Sequence, residues 1–328
     1  MRTLAIYAAF FALVLAPSTA ASKENRVIDL SARAINSAPI PGPEGIALGA
    51  DGTIFIGGHN GKIRAISPAG DMQVFADLNN LPGERTKRIS TVGIALDGQG
   101  DIYAATLDFD GGCVLKVIGP GKPDSGTVSL YRSGIGMANF ILIDKESSVM
   151  YVSDSSMFSG RVFRFDMADE TRIGAPADEA TELLGKFRYA NGLALSPDKE
   201  YLYVAETTSG RISKVNLRTK ESTVFAEPGG WTDGLYFEPA RQLLFACDNR
   251  GGRITALDLS GKIVGDARVS GKEGQCAPAC LLFLNADTIA FTDLWHASLM
   301  RALIGRPQHH SYAYRISVDE IIKVPPQE

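Results

Sequence analysis

Residues 189–212 read YANGLALSPDKEYLYVAETTSGRI. An Asn-Gly pair opens a short alternating apolar run, a Ser-Pro-Asp turn follows, and a second run rich in aromatic and β-branched residues returns. That order is a β-hairpin, and the Gly-Arg-Ile step after it opens a third strand. Taken alone, Asn191 reads as turn chemistry. The same order recurs in PEGIALGADGTIFIGG from Pro43, TVGIALDGQGDIYAAT from Thr91 and ANFILIDKESSVMYVSD from Ala138. It recurs again in TDGLYFEPARQLLFACD from Thr232 and PACLLFLNADTIAFTD from Pro278. Four copies are followed by the same third-strand opening: GKIRAI, GRVFRF, GRISKV and GRITAL.

The second residue of each copy falls at 44, 92, 139, 191, 233 and 279, at intervals of 42 to 52 residues. Six all-β units of that size, without helical periodicity, predict an all-β fold, a six-bladed β-propeller with a central tunnel. The units fill nearly all of residues 21–328, which gives one domain and no linker. RVIDLSA near Arg26 and SYAYRISVDEI from Ser311 are left over, and are expected to supply the strands that close the ring.

In a propeller the first strand of every blade lines the channel, so equivalent positions form a ring. Here the ring reads Glu44, Val92, Asn139, Asn191, Asp233, Ala279. Four hard oxygen donors, with no His or Cys among them, suit Ca²⁺ rather than Zn²⁺ or copper. Without a cation Glu44 and Asp233 would repel each other across a narrow, poorly solvated space. The competing explanations are turn formation and a water-lined channel. Turn formation explains neither Glu44 nor Asn139, which precedes Phe140.

The ends and composition narrow the class. Residues 1–20, MRTLAIYAAFFALVLAPSTA, carry Arg2, an apolar stretch from Leu4 to Leu15 and a small-residue Ser-Thr-Ala ending. This is the pattern of a cleavable signal peptide, with an uncleaved anchor as the alternative, and it predicts a secreted or periplasmic protein free of the membrane after cleavage. The formal net charge is −4, one unit more negative once Arg2 is removed. Mild acidity without a basic stripe argues against nucleic acid and anionic membrane as partners and leaves a small-molecule substrate. The four cysteines are too few for a disulfide-built scaffold. Cys276 and Cys280 could pair, Cys247 reads as a buried thiol inside LLFACD, and the bonding stays open. No sequence feature points to a particular oligomeric state.

PEGIA, ANGLALSPD, LYVAET and WTDGL resemble the superfamily of six-bladed propellers containing gluconolactonases (senescence marker protein), diisopropylfluorophosphatase, paraoxonases and strictosidine synthase-like proteins. The resemblance covers all six units. It implies one tunnel calcium held by a Glu, two Asn and an Asp, matched in type, order and blade by Glu44, Asn139, Asn191 and Asp233. It also implies that Asp233, as the matching Asp of the lactonases, both ligates the metal and serves as base or nucleophile. The catalytic His that paraoxonases carry in the second blade is Val92 here. Gly45, Phe140, Gly192 and Gly234 stand where paraoxonases place Asp neighbours for a second calcium, so one metal is expected. The late Glu of strictosidine synthase has no equivalent that can be placed.

Antiparallel order puts the start of each first strand, the second turn and the preceding loop at one end. The mouth is therefore expected to contain His59, Met157, Phe158, Arg250 and His296, with Arg85, Lys87, Arg88, Arg188, Tyr189 and Trp231 on the loops leading in. A mixed aromatic and basic rim suits a small, partly apolar substrate bearing a polar or anionic group. A metal-bound carbonyl is polarised, and negative charge forming on its oxygen is stabilised. Asp233 is the leading candidate to activate water, and His296 is the alternative. The expected function is calcium-dependent hydrolysis of lactones or related esters. The alternatives are a non-catalytic ligand- or protein-binding propeller and a strictosidine synthase-like condensing enzyme. A further column of acids, Asp154, Glu206, Asp248 and Asp293, ends the second strands and reads as structural, with a hydrogen-bonding role behind the ring residues as the alternative.

Overall fold

Each repeated hairpin buries both faces, because neighbouring sheets stack on either side of it. That is why its strands read as near-continuous apolar runs rather than as a strict alternation. In the computed structural model, which describes residues 28–81, 89–106, 111–156, 159–177, 182–294 and 311–322, the six hairpins are the inner halves of six separate sheets. Blade 1 is Pro43–Leu48, Ile54–Gly58, Lys62–Ile66 and Met72–Asp77. Blade 2 is Thr91–Leu96, Ile102–Thr106, Gly112–Val117 and Val128–Ile135. Blade 3 is Ala138–Asp144, Val149–Asp154, Gly160–Asp166 and Glu182–Phe187; blade 4 is Ala190–Leu195, Tyr201–Glu206, Arg211–Asn216 and Ser222–Ala226. Blade 5 is Thr232–Glu238, Leu243–Asp248, Arg253–Leu257 and Ile263–Gly271, and blade 6 begins with Pro278–Asn285, Thr288–Asp293 and Ala313–Ser317.

The N-terminal segment completes the last two sheets. Arg33–Ala34 is the fourth strand of blade 6, and Ile28–Ser31 pairs in parallel with the outer strand of blade 5. Both leftover ends thus join the ring, as expected from the sequence. The described chain is almost all strand, with one short C-terminal helix, Val318–Ile322, and no described helix is long and apolar enough to cross a membrane.

The core consists of six apolar clusters, each filling the seam between two adjacent blades. Phe55, Ile63, Leu115 and Val117 join blades 1 and 2; Phe245, Ile254, Phe291 and Tyr314 join blades 5 and 6. Ile46 and Ile56 meet Leu282 and Ala290 between blades 6 and 1, which closes the circle. Cys113, Cys247, Cys276 and Cys280 are all free and buried, so Cys276 and Cys280 do not form a bridge. Burial pushes the Cys280 thiol up to about 12, with the nearby Asp233 and Glu44 charges adding to the effect. Cys280 is therefore a neutral, space-filling thiol at ordinary pH.

Candidate functional site

One irregularity places the site. In every blade the inner two strands slip by one residue at the same point: between Pro43 and Ile46, Thr91 and Ile94, Ala138 and Ile141, Ala190 and Leu193, Thr232 and Leu235, and Pro278 and Leu281. Each slip is a β-bulge, which re-aims the side chains of the extra residue and its neighbour. The bulge holds the six ring residues, so Glu44, Val92, Asn139, Asn191, Asp233 and Ala279 occupy equivalent positions, and all six are buried. In blades 1, 2, 4 and 5 a glycine follows the ring residue and lets adjacent blades touch by main chain, while blade 6 has Cys280 there. A Cβ on Gly192 would lie 2.2 Å from the carbonyl oxygen of Asp233, and one on Gly45 would lie 2.3 Å from that of Val92.

Blade 3 carries Phe140 at that position instead. Its amide donates to Ser153 Oγ at 2.9 Å. Its ring packs against the seam between blades 3 and 4 and also against the seam between blades 6 and 1 on the opposite side. Phe140 therefore crosses the tunnel and gives the site an apolar wall.

Asn191 is oriented by its surroundings. The Thr207 hydroxyl donates to the Thr232 carbonyl at 2.8 Å, so towards Asn191 Nδ2, 3.1 Å away, it can only accept. The amide nitrogen is thereby committed, and Asn191 Oδ1 is left buried without a hydrogen-bond partner. A buried acceptor in this state is costly unless something else satisfies it. Asp233 is under similar stress. Burial first, and then the charge of Glu44, push its carboxyl well above the usual carboxylate range, while a hydrogen bond from Asn191 opposes the shift. A cation among these oxygens would satisfy the orphan and relieve the repulsion, so the residues present fit a calcium ion. Among the described residues no three His, Cys, Asp or Glu side chains come together as a metal cluster by themselves. A cation bound at this ring would take half of its four side-chain ligands from the amides of Asn139 and Asn191.

His59, on the turn after the second strand of blade 1, places Nε2 2.5 Å from Glu44 Oε2. Tyr189 adopts φ 62°, and its phenol is pushed up by burial and by the charges of Glu44 and Asp233. The loop carrying it is pinned where Arg188 N donates to Glu206 Oε2 at 2.8 Å and Thr207 N to Tyr189 O at 3.2 Å. The Arg250 guanidinium stacks 5.5 Å from the Trp231 ring. His59, Tyr189, Trp231 and Arg250 thus lie at the end of the molecule expected to be the mouth. His296, Met157, Phe158, Arg85, Lys87 and Arg88 lie outside the described residues.

The acidic column is structural, as expected. Asp154 accepts from the amide of Met137 at 2.9 Å, Asp248 from that of Trp231 at 2.9 Å, and Asp293 from that of Ala277 at 2.7 Å. Each ties the end of a second strand to the loop that leads into its own first strand. The next residue along latches the following blade: Ser155 Oγ donates to Ala190 O at 2.6 Å and Asn249 Nδ2 to Ala277 O at 3.1 Å. Thr207 belongs to this series. Sequence reasoning passed over it, although the succession Asp-Ser, Glu-Thr, Asp-Asn at one repeat position was a signal.

Residues 171–292 match the family described as SMP-30/Gluconolactonase/LRE-like region, and residues 30–66 match the one described as Strictosidine synthase-like, N-terminal. Protein STRICTOSIDINE SYNTHASE-LIKE 10 of Arabidopsis thaliana is 27% identical over 229 residues, covering 62% of this chain and 60% of that protein. The adipocyte plasma membrane-associated protein of Salmo salar is 29% identical over 204 residues, 54% of this chain and 45% of that one. The chain thus spans less than two-thirds of the length of these curated relatives. Among solved structures, regucalcin from Agrobacterium tumefaciens, described as a calcium-binding protein, superposes with a TM-score of 0.64 at 16% identity over 92% of this chain and 98% of that one. A gluconolactonase from Xanthomonas campestris gives 0.64 at 16% identity over 87% and 88%. At such identities the structures testify to the fold alone. Sequence and fold together place the chain among the six-bladed β-propellers similar to gluconolactonase and strictosidine synthase-like proteins.

Proposed function

We propose that the protein is a calcium-dependent hydrolase that opens lactones or related esters at the tunnel ring. The observation that carries this reading is the buried, unpartnered Asn191 Oδ1, beside the buried Asp233 and Glu44 carboxyls, whose repulsion a cation would relieve without protonation. Glu44, Asn139, Asn191 and Asp233 would hold the ion, and the bound ion would supply polarisation of the substrate carbonyl. Asp233 serves as the base or nucleophile, with His296 as the alternative base. The apolar wall formed by Phe140 limits water on one side and strengthens every charge interaction at the ring. Tyr189 adds a neutral phenol, kept protonated by burial and then by its carboxylate neighbours, and able to donate a hydrogen bond. Trp231 and Arg250 give the rim an aromatic face and a cation for a small substrate with a polar or anionic group. Residues 1–20 would direct export, which places the activity in the periplasm or outside the cell.

The test is calcium titration of the full mature chain by calorimetry, alongside turnover on a panel of lactones and aryl esters with and without chelator. Expected are one calcium site, activity lost on chelation and restored by calcium, and Asp233→Asn folded but inactive. Binding without turnover on any substrate would leave a calcium-stabilised binding propeller. A strictosidine synthase-like condensation is the second reading, favoured by the match at residues 30–66, and it predicts chemistry indifferent to chelator.

A further inference from the structure

Glu44 differs from the other three candidate ligands in having an extra rotatable bond, so a fixed coordination geometry requires something to hold its carboxylate. The structure holds it at both ends. Its carbonyl accepts from Thr292 Oγ1 of blade 6 at 2.5 Å, and its Oε2 meets His59 Nε2 at 2.5 Å. Both side chains are largely withdrawn from solvent, 18% exposed for His59 and 12% for Glu44.

His59 is itself held in place. Its amide donates to Pro41 O at 3.2 Å and to Gly42 O at 3.1 Å, closing a tight connection between the second turn of blade 1 and the loop leading into it. Gly42, at φ +55°, lies flat under the imidazole, and a Cβ there would sit 2.7 Å from His59 Cγ. Only glycine permits both that conformation and that approach. With Glu44 as acceptor, the imidazole must present its proton on Nε2.

We infer that His59 is a positioning residue for the ring, whose Nε2 occupies one oxygen of Glu44 and leaves the other as the single oxygen that this carboxylate offers to the metal. The inference rests on the calcium reading of the ring. A contact of 2.5 Å leaves no room for an ion between nitrogen and oxygen, so His59 acts through Glu44 and does not ligate. It is to Glu44 what Thr207 is to Asn191: a neighbour on the second turn or strand end that commits one polar atom and turns the other inward. Outer partners of metal-binding side chains act in this way, and losing one typically weakens metal binding about 10–100-fold.

The experiment is calorimetric calcium titration of the full mature chain as wild type, His59→Gln and His59→Phe, paired with thermal unfolding of each in EDTA. A Gln amide can reach the Glu44 oxygen and donate to it, whereas Phe fills the space without a donor. Expected is a calcium affinity about 10–100-fold weaker for His59→Phe, recovered to within several-fold by His59→Gln, with metal-free melting temperatures that stay together. Equal affinity in all three proteins overturns the inference, as does a loss that His59→Gln fails to recover, or one that merely follows a lowered metal-free melting temperature. Absence of calcium binding by the wild type would instead overturn the calcium reading, and this inference with it.

Discussion

At the scale of single residues, the ring is a set of polar groups held under electrostatic stress, and that stress is measurable. In the absence of metal the Asp233 carboxyl stays protonated well above the range of an ordinary aspartate, chiefly because it is buried and then because Glu44 is near. An acid raised in the folded state stabilises the fold most where it is protonated in both states. That contribution is lost as pH rises from the ordinary aspartate value, about 4, through the raised one. In chelator, the melting temperature of the wild type should therefore fall as pH rises above the ordinary aspartate range. Asp233→Asn should flatten that fall and melt higher at pH 8, and saturating calcium should flatten it in the wild type; an unchanged slope in the variant would contradict this. A companion prediction concerns Thr207. Replacing it with Val strands Asn191 Nδ2 and the Thr232 carbonyl, which should lower stability by about 1–3 kcal/mol and free the amide to rotate. Calcium affinity, read by calorimetry, should fall with Thr207→Val and survive Thr207→Ser.

At the scale of elements, the bulge turns a repeat in the sequence into a convergent site, and the glycines after the ring residues let the blades come close enough. Gly192→Ala would drive a methyl into the Asp233 carbonyl, 2.2 Å from the ideal Cβ, and should cost about 1–3 kcal/mol or more as well as calcium affinity. Gly98→Ala is the control, since a Cβ there meets nothing within 4 Å, and it should stay within about 0.5 kcal/mol of wild type. Urea unfolding of both, with a difference smaller than 1 kcal/mol counting against the packing argument, decides the matter. Here the sequence was most informative. The hairpin order and its interval exposed the blades, and the common offset exposed Glu44, Asn139, Asn191 and Asp233 as equivalent positions. The partners of those residues were harder to see. Thr207 and His59 act across a strand end and across a turn, where a period of about 47 residues carries no information on which side chains touch. Phe140 was visible as a departure from glycine, yet its reach to the opposite seam follows only from closing the ring.

At the scale of the whole molecule, a propeller must join its last blade to its first, and here the N-terminal segment makes that join without a covalent link. Its leftover strands were legible in the sequence; their partners were not, because partner choice depends on which edges closure leaves open. Ile28–Ser31 covers the outer edge of blade 5 and Arg33–Ala34 that of blade 6. Ile35 N then donates to Ala313 O at 2.8 Å, and Asn36 Oδ1 accepts from Ala313 N at 3.0 Å, before the chain turns into blade 1. Removing residues up to 34 would expose two strand edges, one of them the outer edge of the Ala313–Ser317 strand, whose inner neighbour carries Thr292, the residue that grips the Glu44 carbonyl. Local stability, not just the global value, should register this. Hydrogen exchange of the truncated chain should speed first in Ile263–Gly271 and Ala313–Ser317, while Val149–Asp154 in blade 3, on the opposite side, keeps its protection. Calcium affinity should weaken in step, because the seam between blades 6 and 1 sets the position of Glu44. If exchange rises equally in blade 3, the six blades open as one unit and the N-terminal clasp has no local role. If exchange rises only near blades 5 and 6 but calcium affinity holds, Glu44 is positioned by its own blade and by His59, and the Thr292 contact is incidental.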